Sequence, residues 1–176
     1  MNQENNQENN QENNKENNQE NNKEICYYTD SSYSPKYNIG VLGTKREDEN
    51  IIITYLDNTK NTQCELESFL LTLEYAVNIK KDKIIKIFTD CSNIQNLVYK
   101  RDKSKEAREE KYNEFYERLD KILINNKNLK LSLSIEFIRG HSPKYNKNNN
   151  DVLFSIVDKH VRSKLRNRVL EIINKK

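Results

Sequence analysis

Between residues 84 and 89 the chain runs Ile-Ile-Lys-Ile-Phe-Thr and then stops on Asp90. An apolar run of strand length without alternation, broken only by Lys86, belongs to a strand buried on both faces. Such a strand needs a layer above and a layer below, so the remaining segments must supply helices for both sides of a sheet.

The flanking segments fit that demand. Ile25 to Thr29 is a short apolar and aromatic run stopped by Asp30, and Tyr37 to Thr44 and Ile51 to Leu56 read as two further strands around a charged turn. Three strands in succession predict an antiparallel meander. From Thr62 the period changes: Leu66, Phe69, Leu70, Leu73 and Val77 share one face of a helix. A short helix from Ser92 to about Tyr99 follows the central strand, and Tyr112, Phe115, Tyr116, Leu119 and Ile122 mark another. Leu131 to Ile138 reads as the last strand, followed by Gly140-His141, a polar Asn- and Lys-rich loop, and a final helix from Asp151 or Phe154 to Ile173. The expected architecture is α/β: a mixed five-stranded sheet, three antiparallel strands then two more, with helices on both faces.

The first 24 residues are QENN and KENN units with no hydrophobic residue after Met1. Such a segment cannot bury apolar surface and is expected to be a disordered tail. Residues 25–176 are enough for one catalytic domain with a sizeable core. Six glutamates against two lysines give the tail a net −4, so the domain carries +7 while the whole chain carries +3. A basic domain suits a polyanionic partner. Three cysteines, an odd number, without zinc-type spacing predict reduced thiols. No apolar run approaches the ~20 residues of a membrane span, and an export-type leader is lacking, so the expectation is a soluble intracellular protein and a monomer.

Acidic residues at element ends carry the chemistry. Asp30 and Asp90 follow strand-like runs, Glu65 opens a helix, and Asp158 interrupts the apolar seam formed by Phe154, Val161 and Leu165. Local readings exist for each: Asp30 can end a strand, Thr62-x-x-Glu65 is a capping box, Asp90 can cap a helix, and Glu67 can meet a helix dipole. Asp151, after three asparagines, reads as a helix N-cap or loop residue.

Together the segments resemble the ribonuclease H family over residues 25 to about 170. CYYTDSS is similar to the family's strand ending in Asp-Gly-Ser, with Ser31 in place of the glycine; NTQCELESFLLTLE is similar to its Glu-Leu helix start; IIKIFTDCSNI is similar to its Thr-Asp-Ser segment, with Cys91, read as packing, in the serine position; VDKHVR is similar to its Ala-Asp-x-Leu-Ala-Arg. The resemblance implies that Asp30, Glu65 and Asp90 are metal ligands. The fourth is either Asp158, favoured by its apolar surroundings, or Asp151, favoured by its distance from the histidine. It implies that His141, in IRGH, is the flexible-loop histidine that relays protons or helps product leave, and that Asn61, Ser31 and Ser32 face the nucleic acid. The implied activity is cleavage of the RNA strand of RNA–DNA hybrids using two Mg²⁺ ions, with Mn²⁺ as an alternative. A DNA-cutting nuclease of the same fold and a non-catalytic nucleic-acid binder are the rival readings. The family's basic substrate-gripping insertion is not evident: residues 100 to 111 mix lysine and arginine with acids.

Overall fold

The computed structural model describes residues 23–103, 105–127, 132–139 and 148–175. The QENN units up to residue 22 and the loop carrying His141 lie outside them.

Three strands, β1 (Ile25–Ser34), β2 (Ile39–Arg46) and β3 (Ile52–Asp57), form the antiparallel meander. Helix α1 (Asn61–Glu74) then crosses the sheet and widens into a π-type segment, Tyr75–Lys80, which ends on the left-handed Lys81. Strand β4 (Ile84–Thr89) enters parallel to β1, and β5 (Ser132–Phe137) parallel to β4. The sheet order is β3-β2-β1-β4-β5. Between β4 and β5 lie α2 (Ser92–Tyr99), two short 3₁₀ turns over the charged stretch, and α3 (Asn113–Asn125). The chain closes with α4 (Asn149–Asn174). Among the described residues no helix is long and apolar enough to cross a membrane.

Two cores explain the buried central strand. On one face Tyr27, Ile85 and Ile87 pack against Phe69, Leu73 and Val77 of α1 and its extension and against Phe115 and Leu119 of α3. On the other, Tyr28 and Phe88 stack at 5.1 Å and receive Phe154, Val157 and Val161 of α4. Each such side chain contributes roughly 1.5–3 kcal/mol of burial, so the three from α4 anchor that helix firmly. Lys86 escapes burial by pairing with Glu24 and Glu136.

Two glycines set how closely the helices approach. A Cβ at Gly43 would meet Val161 Cγ1 at 2.6 Å and Val157 Cγ1 at 2.8 Å, so α4 rests on bare backbone there. On the opposite face, a Cβ at Gly40 would collide with Cys64 Sγ, which brings the first turn of α1 down onto β2.

Several local expectations are corrected. Asp30 does not end β1: the strand continues to Ser34 because β2 pairs with it through Ser34↔Ile39, and Asp30 lies opposite Gly43. What ends near Asp30 is the pairing with β4, whose last partners are Tyr28↔Phe88. The final helix begins earlier than expected. Asn148 is its N-cap and Asp151 is the third helical residue; each side chain accepts from the other's backbone N–H, a complete capping box.

Candidate metal centre

Parallel strands present their carboxyl ends, and the helices that follow them, to one crevice. Here β1 leaves its partner β4 after Tyr28, and Asp30 and Asp90 each stand two residues beyond the final paired residues Tyr28 and Phe88. Asp90 is the first residue past β4, in a turn held by the Cys91 N–H donating to Thr89 Oγ1 at 3.1 Å and the Ile138 N–H donating to the Thr89 carbonyl at 2.9 Å.

The third acid arrives from α1. Its N-cap, Lys60, makes no side-chain cap bond, so the capping box expected between Thr62 and Glu65 is absent. Glu65 is turned inward instead, where the Ser31 hydroxyl holds its carboxylate toward the charged form. The Ser31 Oγ itself is buried without a well-formed hydrogen bond of its own. Glu67 does not simply face the helix dipole: Arg118 of α3 clamps it at 2.6 Å and also reaches Glu74 at 3.0 Å.

Buried hydroxyls pin α1 to the strands. Ser68 Oγ donates to the Asp30 carbonyl at 3.0 Å and lies 2.7 Å from Thr29 Oγ1; Thr72 Oγ1 donates to the Ser68 carbonyl and lies 2.7 Å from Thr44 Oγ1. Ser68 spends its one proton on Asp30, so Thr29 must donate to Ser68. The same bookkeeping makes Thr44 the donor to Thr72. This ladder fixes the backbone at Asp30 and was not foreseen; its signal was a pair of small hydroxyls at i and i+4 beside the Phe69–Leu73 stripe.

Asp30, Glu65 and Asp90 each offer a carboxylate oxygen, all within 4.8 Å of one another. Asp30 is only 5% exposed. Burial, then the charges of Asp90, Glu65 and Asp158, push its carboxyl up to about 8; burial first, and then Asp90, push Glu65 up to about 7. Like charges held this close in a dry setting are costly, and a cation between them removes the cost. The donor set is all oxygen, which suits a hard divalent ion such as Mg²⁺ or Mn²⁺. The residues therefore fit a metal.

Asp158 stands at the margin of this cluster. It acts on Asp30 through its charge, is 13% exposed at the side chain, and pairs with Arg162 one turn on at 2.5 Å. Asp151 is engaged in the capping box of α4. Ser32 is half-buried on β1, and Asn61 is exposed at the start of α1. Burial raises the Cys91 thiol to about 11, with Glu65 adding to the effect, so this cysteine stays protonated at neutral pH and packs against the core. His160 is exposed, its ring nitrogen 3.1 Å from the Ile156 carbonyl.

A family model, RNase H, matches residues 21–159. The chain belongs to the ribonuclease H family. The element order, the mixed sheet and the three gathered carboxylates all belong to the matched segment, and the ribonuclease H domain implies a nuclease of RNA–DNA hybrids with an acidic cluster able to bind metal. The match stops inside α4, leaving residues 160–174 of that helix beyond it. A comparison with curated proteins finds no match.

Proposed function

We propose that this protein is a metal-dependent endoribonuclease that hydrolyses the RNA strand of RNA–DNA hybrids with two divalent ions. The observation that carries the reading is the convergence of Asp30, Glu65 and Asp90, from three different elements, to within 4.8 Å at the carboxyl ends of two parallel strands.

Asp30, Glu65 and Asp90 would hold the metal, with Asp158 as the fourth carboxylate. Bound Mg²⁺ supplies an activated water on one side of the scissile phosphate and charge neutralisation for the leaving 3′-oxygen on the other. The charges of Asp90, Glu65 and Asp158 all act on Asp30, which would make it the central ligand of the set. Ser31, beside Glu65, partly offsets the burial that favours the neutral form of its carboxyl. Arg162 neutralises Asp158 at rest and would have to release it, in whole or part, when a cation enters. Of the two candidates for the fourth ligand, Asp158 is supported by its influence on Asp30; the capping role of Asp151 accounts for that residue without a metal. Asn61, Ser31 and Ser32 would face the nucleic acid, Ser31 through its backbone since its hydroxyl is buried, and His141 would move a proton or assist product release. The 2′-hydroxyl identifies the strand to be cut.

The test is one labelled sequence offered as RNA–DNA hybrid, RNA duplex, DNA duplex and single strands with Mg²⁺. Cleavage confined to the RNA strand of the hybrid supports the reading, and cleavage of duplex DNA or of none of the substrates refutes it.

A further inference from the structure

The domain's excess positive charge is not evenly spread. Several cations outside α4 are neutralised by nearby acids: Arg46 by Asp48 and Asp82, Lys80 by Glu49, Arg101 by Asp120, Lys111 by Glu109, Arg118 by Glu67 and Glu74. From residue 159 to 170, α4 carries Lys159, Arg162, Lys164, Arg166 and Arg168 with no acid until Glu171. Lys159, Lys164 and Arg166 have no ion-pair partner among the described residues and are exposed. Arg168 reaches only distant partners, Glu171 at 3.4 Å and Asp57 at 4.0 Å, and its Nε is buried without a hydrogen bond.

The placement of this charge is as telling as its amount. Asp158, Arg162 and Arg166 follow one another at i, i+4 and i+8, a single stripe leading away from the carboxylate cluster. Eight residues of helix span about 12 Å, the rise of three to four base pairs. On the neighbouring face Lys164, Asn167, Arg168 and Glu171 line a cavity of about 350 Å³ with Tyr55, which is 49% exposed. An exposed aromatic ring beside a run of cations that outnumber the acids suits a sugar-phosphate strand better than a protein surface. From residue 160 onward the stretch lies beyond the segment matched by the family model, whereas in the charged region between β4 and β5 the cations are interspersed with acids, and Arg101, Lys111 and Arg118 are paired with them.

We propose that α4 from Lys159 onward is a phosphate-gripping arm that holds the nucleic-acid backbone of the substrate outside the scissile site, through Lys159, Lys164, Arg166 and Arg168. The proposal rests on the hybrid-nuclease reading for its choice of partner. Its anchor is the packing of Phe154, Val157 and Val161, which ties the arm rigidly to the strands that carry Asp30.

The experiment compares the full chain with the doubly substituted Lys164→Gln/Arg166→Gln and with a control, Lys103→Gln/Lys105→Gln, in the acid-mixed region. Binding of a fluorescent RNA–DNA hybrid is followed by anisotropy in EDTA over a salt series, with circular dichroism confirming the fold. Loss of two phosphate contacts should weaken binding roughly tenfold or more at about 0.1 M salt and flatten the slope of log K against log salt by about 2, while the control moves less than about twofold. In Mg²⁺ the loss should fall on KM rather than kcat. An α4 variant that binds no worse than the control overturns the arm, and if the parent still cleaves hybrid the nuclease reading stands. Hybrid binding that depends on α4 in a parent that cleaves nothing supports the arm and overturns the nuclease reading; a parent that binds no hybrid overturns both. Loss of binding to phosphatidylserine vesicles with hybrid affinity unchanged overturns the arm in favour of a lipid surface.

Discussion

Asp30→Asn removes a buried charge while keeping the side chain's size, so its effect on the metal-free protein isolates the electrostatic cost of the cluster. The Asp30 carboxyl lies at about 8 in the folded protein against 3.8 as its ordinary value. Between those limits the folded chain keeps a proton that the unfolded chain has released, so stability is greatest below about pH 4 and is lost as pH rises toward 8. The slope for one such group is at most about 1.4 kcal/mol per pH unit. Asparagine has no such dependence. From about pH 5.5 to about pH 7.5 the stability gap should therefore widen in favour of Asp30→Asn by up to about 2.7 kcal/mol, or roughly 5–10 °C in Tm for a domain of this size. The assay is a pair of thermal melts across that range in EDTA. Saturating Mg²⁺ should then raise the parent's Tm, more so at the higher pH, and leave the variant's nearly unmoved. A gap that stays constant or narrows with rising pH would refute the electrostatic account of the site.

Four further outcomes follow from specific contacts. Gly43→Ala places a Cβ against Val161 and Val157, and overpacking at α4 should cost about 1–3 kcal/mol in urea unfolding. Ser68→Ala removes the donor to the Asp30 carbonyl and should cost about 1–2 kcal/mol by the same measurement, with a fall in hybrid cleavage as β1 loosens. Asp158→Asn should cripple single-turnover cleavage across a Mg²⁺ titration, whereas Asp151→Asn should cost little, because asparagine retains an oxygen able to accept the Asn148 N–H. Deleting residues 1–22, which contain no hydrophobic residue after Met1, should leave Tm and cleavage of hybrid unchanged in parallel melts and assays.

Much of the fold was legible because its central strand has no disguise: Ile84–Thr89 and the helix Ser92–Tyr99 stand where the apolar pattern put them. The extension of β1 through Ser31, Ser32 and Ser34 was hidden because its pairing with β2 uses backbone groups and its side chains carry no apolar alternation. The site was legible as a set of carboxylates at element ends, but not the manner of their assembly. At the start of α1 a glutamate reads equally well as a cap or as an inward-facing carboxylate, and β2, where Gly40 admits Cys64 and seats the first turn, goes with the inward one. The capping role of Asp151 was hidden because an asparagine-rich loop offers many equivalent cap positions, and only the capping box at Asn148 shows which one is used.

The account turns on whether the Asp30–Glu65–Asp90 cluster takes up a divalent ion. Calorimetric titration of Mn²⁺ into the metal-free parent, with Asp90→Asn as the comparison and circular dichroism confirming that both are folded, addresses this directly. Saturable binding by the parent that Asp90→Asn abolishes or weakens at least tenfold, with protons released on binding near pH 7 as Asp30 and Glu65 ionise, is the expected result. Equal binding by the two proteins, or none by the parent, would contradict it.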